Sequence, residues 1–401
     1  MGGSYGHLSH PYEQSTNLSF KDMKELVSKC LTGNIDRPTE KTDGQALAVS
    51  YKNGHLIAAR NKGHLKNAGE TALTARGVAE KFAGRGSLTT AFASAATDLE
   101  LAFQILDEER LSEVFDEGRN FMHIEIMHPD SANVINYDHP YIVFHGIMSY
   151  DIDGNATGED NQIAFELARE LVGYNEDEER TYDIISPAVL NLPNLTEELP
   201  TVEPMLLSLI DELMEEFDLT DEDRINDYYT AFWNRWLDEN SPKDVTSTMR
   251  EVLLSRWAME DKSRRLREIP EVKSWAKEFE KNELKDVRKD INLKFENVFL
   301  KLGSIILTAV DSILVSEPSV ARAKMKEDVN IAINDILNNP ESSDSAKEKL
   351  LFEVRRLQMI GGTQAINSIE GFVFKHNDET FKITGCFAPL NQILGISRYN
   401  R

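Results

Sequence analysis

The chain has 401 residues, with 44 Lys and Arg against 68 Asp and Glu, for a formal net charge of -24. Its 41% hydrophobic content and the lack of any apolar run long enough to cross a bilayer describe a globular chain of two or three packed units and exclude a membrane-spanning one. Two cysteines far apart in sequence, Cys30 and Cys386, exclude a disulfide framework or thiolate zinc site and point to a reducing compartment.

The first residues, 1–13, carry no apolar signal-peptide core, so a cytoplasmic location is expected. Apolar spacing predicts a helix over 20–31. Residues 45–62 alternate apolar and polar around Asn53-Gly54, the signature of a two-strand hairpin. Segments 121–127 and 141–148 also read as strands. The acidic stretch 175–180 and the Pro-containing stretch 186–204 read as linkers. Three- and four-residue apolar spacing then predicts helices over 205–217, 245–259, 296–315 and 345–359. A second hairpin is expected over 371–384, turning at Asn377-Asp378. The fold class is therefore α+β, strand-rich at both ends with a helical block between them.

Charge follows the same division. Residues 1–90 hold 12 basic and 8 acidic side chains, whereas 161–240 hold 4 basic and 21 acidic. Most of the acidity thus belongs to one stretch, and the N-terminal part is mildly basic. Uncompensated carboxylates repel phosphate, so a nucleic-acid partner requires such a local excess of Lys and Arg.

The most informative string is Glu40-Lys41-Thr42-Asp43-Gly44, between the first helix and the first hairpin. A Lys at a strand entry can aim its amine into a cleft, and a Gly three positions on lets backbone approach a phosphate. Alone, Lys-x-Asp-Gly is equally an ordinary exposed turn. Further elements follow in order: Arg60-Asn61-Lys62-Gly63 after the hairpin, Glu125 within HIEIM, Phe144 within IVFHG, Glu370-Gly371 opening a strand that reaches Lys375, and Lys382 within FKITG.

In that order the residues resemble the covalent nucleotidyltransferase superfamily of ATP-dependent polynucleotide ligases and RNA capping enzymes. The resemblance covers residues 38–148 and 368–386. It implies an antiparallel-sheet nucleotidyltransferase domain built from residues 1–156 and 351–401, interrupted by a helical insertion, 157–350. It implies that Lys41 attacks the α-phosphorus of ATP, expels pyrophosphate and forms a lysyl-AMP phosphoramidate. Attack needs a neutral amine, so burial, Lys382 and a bound cation are expected to lower the pKa of Lys41. Lys382 would stabilise charge at the α-phosphate, and Glu370 would direct magnesium or manganese. Glu40, Asp43, Gly44, Arg60, Lys62, Glu125 and Lys375 are expected around the nucleotide, with Phe144 stacked on adenine.

Only 19 residues follow Lys382, too few for the C-terminal OB domain of DNA ligases and capping enzymes. Together with Glu40 directly before the nucleophile, this is similar to phage-type RNA ligases, and implies a repair role in a bacterial or phage-infected cytoplasm with RNA favoured over DNA. Thr384 stands where many ligases have a second Lys. The alternatives are a nick-sealing DNA ligase, or an ATP-binding or protein-adenylylating protein whose acidic helices are a protein interface. Three further features have plain structural readings. His7, His10, His55 and His64 lack zinc spacing, the basic run within 261–268 reads as an exposed helix face, and Trp233 and Trp236 read as helix-core anchors.

Overall fold

The computed structural model describes residues 8–176, 179–261, 263–264, 270–377 and 379–399. His7, Asp378 and most of the basic run, Lys262, Arg265 and Arg267, lie outside the described residues. Within them the chain forms α1 (Phe20–Leu31), β1 (Thr39–Lys41), β2 (Gln45–Lys52), β3 (His55–Ala59), α2 (Lys66–Gly69), β4 (Leu73–Thr74), α3 (Ala75–Phe82), α4 (Ser87–Phe103) and α5 (Glu108–Phe115). There follow β5 (Asn120–Met127), β6 (Tyr141–Tyr150), β7 (Ala156–Asp160), α6 (Gln162–Glu170) and β8 (Asp183–Ile185). A helical run comes next: α7 (Val202–Glu215), α8 (Ile225–Asn240), α9 (Ser247–Trp257), α10 (Pro270–Asn282), α11 (Leu284–Thr308), α12 (Pro318–Asn338) and α13 (Asp344–Met359). The chain closes with β9 (Gly371–His376), β10 (Glu379–Thr384) and α14 (Phe387–Tyr399). No helix among the described residues is long and apolar enough to cross a membrane.

The strands form two sheets. The larger has the order β4-β3-β2-β5-β6-β7, antiparallel throughout, with β8 added parallel to β6. The smaller is β1-β9-β10, so the two ends of the chain meet in one antiparallel ladder in which Lys41 faces Gly371 and Lys382 faces Val373. The first hairpin turns at Asn53 and Gly54, both at positive φ, as a two-residue turn matched to strand twist requires. The second turns where expected, with Asn377 at φ 49°.

Period-2 alternation explains how each sheet divides its faces. On the small sheet Phe372, Phe374, Phe381 and Ile383 enter the core shared with α1 and the helices α7 to α11. Val373, Lys375, Thr380 and Lys382 point the other way, into a cleft. On the large sheet Leu47, Val49, Ile124, Ile126 and Phe144 pack under α4 and α5, which leaves Ala46, His123 and Glu125 on the face toward that cleft.

Several expectations change. The boundary at 156 falls inside the large sheet, because β7 and β8 extend it and α6 packs on β6. After β8 the chain returns to β1, where Glu40 N–H donates to Ala188 O at 2.8 Å and Leu190 N–H to Pro38 O at 2.8 Å. The segment 186–204 is therefore partly a strand-edge contact rather than a free linker. The helix expected over 296–315 begins twelve residues earlier, at Leu284, and ends at Thr308. Beyond it, Leu314 and Val315 fill a third core from an irregular loop. Trp233 and Trp236 pack with Trp257, Trp275 and Phe279, as helix-core anchors should.

The join between the helical run and the small sheet is made by glycine. A Cβ on Gly303 of α11 would lie 2.7 Å from Thr384 O, and one on Gly385 would lie 3.0 Å from Ser304 Cα. Backbone therefore touches backbone, which fixes β10 against α11. Gly303→Ala should cost about 1–3 kcal/mol by overpacking. Gly395→Ala, in α14 with open space where its Cβ would stand, should instead stabilise by about 0.5–1 kcal/mol. Urea unfolding of both variants checks the two signs, and a neutral Gly303→Ala would mean the two elements are not held this closely.

Candidate functional site

Lys41 ends β1, beside the position where Glu370 leads into β9. Its Nζ lies 2.6 Å from Glu370 Oε1. Both side chains are largely withdrawn from solvent, at 19% and 9% exposure, so two residues from opposite ends of the chain form a buried ion pair. Gly371 is required at this crossing, since a Cβ there would sit 2.2 Å from Ile383 O. The pair lies at one side of a cleft of about 920 Å³ between the two sheets, whose lining includes Lys41, Thr42, Glu125, His145, Lys375 and Lys382. Arg37 and Phe165 stand at the same cleft, with the guanidinium carbon 5.1 Å from the ring centre.

Glu125 organises the turn after the nucleophile candidate. Its Oε1 accepts the Gly44 N–H at 2.9 Å, its Oε2 accepts the Thr42 hydroxyl, and His145 Nε2 is 3.2 Å from the same oxygen. Burial would raise this carboxyl, but the His145 and Thr42 hydrogen bonds and the Lys41 charge outweigh it and leave it at about 2. Gly44 admits no side chain, because a Cβ would lie 2.7 Å from Ile126 O and 2.8 Å from Glu125 Cγ. Asp43 turns away from the cleft: its Oδ2 accepts the N–H groups of Val134 and Ile135 at 2.7 and 2.9 Å, and Asn133 Nδ2 donates to its Oδ1 at 3.2 Å. Burial pushes it up to about 6.

The amine of Lys41 differs from expectation. Burial acts to lower its pKa, but the carboxylates of Glu370, Glu125 and Asp43 outweigh burial and raise it, so the ligand-free site holds an ammonium. Glu370 is pushed up to about 8 by burial, against the pull of Lys41 and with Asp43 and Glu125 adding repulsion. Lys382 behaves as a buried cation does: burial and the neighbouring Lys41 lower it to about 8.

Other predicted site residues are placed elsewhere. Glu40 alternates away from Lys41 and accepts the Ser312 hydroxyl and the Ile313 N–H, the latter at 2.8 Å, so it anchors the loop between α11 and α12. Phe144 is fully buried under α4, 6.5 Å from the Phe103 ring centre, and cannot stack on a ligand in the cleft. The cause is its register: Phe144 lies opposite Ile124 and shares its core face, while alternation puts the adjacent His145 on the cleft side with Glu125. Arg60 lies behind the cleft wall, donating to Ala46 O and set over the rings of Phe92 and Phe82 at 5.6 and 6.0 Å. Lys62 is exposed and donates to Asn155 Oδ1 at 2.5 Å, off the cleft. Thr42 and His145 were not singled out from sequence. Thr42 is legible as part of the nucleophile turn, whereas His145 depends on the register of β6 against β5.

A resident metal does not fit this donor set. Among the described residues no group of three or more His, Cys, Asp and Glu side chains is disposed to hold an ion. The oxygens of Asp43 and Glu125 are engaged within the fold, Glu370 is the carboxylate paired with Lys41, and Asp36, Glu159 and Asp160 stand elsewhere in the cleft lining. Such a site suits a magnesium ion carried in on phosphate oxygens, which needs one or two protein carboxylates.

Comparison with protein-family models, curated proteins and solved structures finds no match to this chain.

The opposed shifts of the two glutamates predict a pH signature. Glu125, depressed in the fold, contributes stability above its usual pKa of 4.5 that is lost as pH falls toward about 2. Glu370, raised to about 8 from 4.5, contributes stability that is present below 4.5 and is lost as pH rises through about 8. Wild-type stability in urea should therefore fall from about pH 5 to about pH 9, and Glu370→Gln should flatten that fall. Parallel curves for the two proteins would show that Glu370 is not held protonated by burial.

Proposed function

We propose that the chain is an ATP-dependent polynucleotide ligase, with RNA as its favoured substrate, working through lysyl-AMP on Lys41. The observation that carries this reading is that Lys41 and Lys382, from opposite ends of the chain, line one cleft while Glu370 pairs with Lys41 beside it. These are the three residues that covalent nucleotidyl transfer needs, in the order that the sequence resemblance implies.

Lys41 Nζ would form an N–P bond to the α-phosphorus as the P–O bond to pyrophosphate breaks, with the electron pair leaving on pyrophosphate. The ammonium must first lose a proton. Glu370 Oε1, at 2.6 Å, is within reach to accept it once its own raised carboxyl is ionised. Lys382, desolvated and close to Lys41, would meet the charge that develops on the α-phosphate oxygens, where a positioned cation acts without reorganising. Magnesium or manganese, when bound with ATP, would neutralise the phosphates, with Glu370 as the protein carboxylate toward it.

Glu125 is a positioning residue here. By holding Thr42 and Gly44 it fixes the turn on which the nucleophile sits. Apolar lining from Phe165 and Val373 offers a surface for a purine, with His145 as the ring on the cleft face in place of Phe144. Transfer of AMP to a 5′-phosphate and attack by a 3′-hydroxyl would complete the reaction.

Incubation with α-labelled ATP and magnesium should label the wild type covalently. Lys41→Ala should take no label, and Glu370→Ala and Lys382→Ala should each slow labelling by roughly 10²-fold or more. Lys41→Ala labelled as well as wild type would overturn the reading. Passage of the label to 5′-phosphorylated RNA supports an RNA ligase, whereas passage only to nicked DNA or to a protein replaces the acceptor.

A further inference from the structure

Lys382 faces two cavities. Besides the main cleft it lines, together with Glu370 and Thr384, a second, smaller one of about 290 Å³, which Lys41 does not line. Its remaining walls come from parts of the chain with no place in the nucleotidyltransferase resemblance. Lys289 and Asn292 stand on α11, Arg356 on α13, and Asn391 and Gln392 on α14.

Its chemistry suits an anion. Lys289 is exposed, its ammonium 4.3 Å from the Phe352 ring centre, and Lys382 is a buried cation. Two carboxylates, Glu296 and Glu370, also line it, and both are engaged: Glu370 with Lys41, and Glu296 with Arg356, which donates to it through Nη2 and to Glu353 through Nη1, the latter at 2.5 Å. Arg356 Nε is buried and has no hydrogen-bond acceptor within the fold. A guanidinium spending two nitrogens on carboxylates and keeping a third donor unmet beside a cavity is an arrangement that a phosphate oxygen would complete.

Stereochemistry assigns the occupant. In a displacement at phosphorus the entering and leaving groups lie in line on opposite sides of the centre. With Lys41 in the main cleft and Lys382 at the α-phosphate, the group opposite Lys41 extends past Lys382. We propose, resting on the ligase reading, that the second cavity is the subsite for whichever phosphate stands in line with Lys41. That group is pyrophosphate as the N–P bond forms. In the following step it is the 5′-phosphate of the acceptor strand, whose oxygen attacks the α-phosphorus while the N–P bond breaks and its electron pair returns to Lys41, which takes up a proton. The helical run thus supplies a phosphate-binding wall, and Lys289 is its specificity-determining cation.

The test uses full-length protein labelled with α-labelled ATP, freed of nucleotide and titrated with magnesium pyrophosphate, which reverses the first step and releases labelled ATP. Lys289→Ala should need about tenfold more pyrophosphate for half-maximal release, with the maximal rate retained. Lys289→Arg should restore the wild-type value, and Lys349→Ala, exposed on α13 and away from the cavity, should match wild type. The half-saturating concentration of 5′-phosphorylated RNA should rise in Lys289→Ala as well. An unchanged pyrophosphate dependence in both Lys289→Ala and Asn292→Ala, with normal labelling of Lys41, would overturn this subsite and leave the ligase reading standing. Failure of the wild type to label at all would remove both.

Discussion

The ion pair between Lys41 and Glu370 is the constraint on which the rest of the molecule depends. It can form only if β1, from the beginning of the chain, pairs with β9, from its end. Everything between them must therefore fold back on itself, and the long excursion through the large sheet and the helical run does so. Two charges taken out of water cost several kcal/mol each, and their attraction repays that only with good geometry. Burial pushes the Glu370 carboxyl up, the direction expected where that repayment is incomplete. A well-packed apolar pair would serve stability better, so the arrangement is more readily understood as kept for chemistry than for folding.

The same pair sets the electrostatics of its surroundings. Three carboxylates bear on one amine, and each is handled differently. Glu125 is saturated by donors and stays ionised, Asp43 is turned into backbone N–H groups, and Glu370 alone keeps an oxygen for exchange. The outcome is a nucleophile held as ammonium until a ligand redistributes the charge. A free amine poised beside ATP was the simpler expectation. It overlooked that strands bringing cations together at this site bring their acids with them.

What was legible in the sequence followed short-range physics. Asn53-Gly54 between alternating residues fixed a hairpin to within a residue, and Glu370-Gly371 announced both the acid and the close backbone crossing beside it. Face assignments fail where the register between strands is not visible in the sequence. Counting from His123 through Glu125 gives the correct cleft face on β5, but only the pairing of Ile124 with Phe144 shows that Phe144 shares the core face and that His145 is the ring toward the cleft. Glu40 was misread for a related reason: its place next to Lys41 in sequence puts it on the opposite face of the strand. Helix α4 is hard to read from sequence because, rich in Ala, Ser and Thr, it shows little amphipathic contrast while being packed on most of its length. The boundary at 156 falls at the first residue of β7, which pairs antiparallel with β6, and β8 then joins the same sheet as a parallel strand.

The net charge of -24 looked at first like an obstacle to any phosphate ligand. Its main source, residues 161–240, reaches into α7 and α8, where part of it is tied down locally. Lys24 of α1 lies 2.6 Å from both Asp211 and Asp221, and Glu216 is shared by Arg235 and Lys294. These acids help clamp α1 and α11 onto α7 and α8. Acidity there and cations at the cavities are then two consequences of one division of labour. The face of the helical run toward α1 spends carboxylates on assembly, while the face toward β10 presents Lys289 and Arg356 beside Lys382. A whole-chain charge cannot distinguish those faces, and at a Debye length of about 8 Å in physiological salt a phosphate at Lys382 responds to the second far more than to the first.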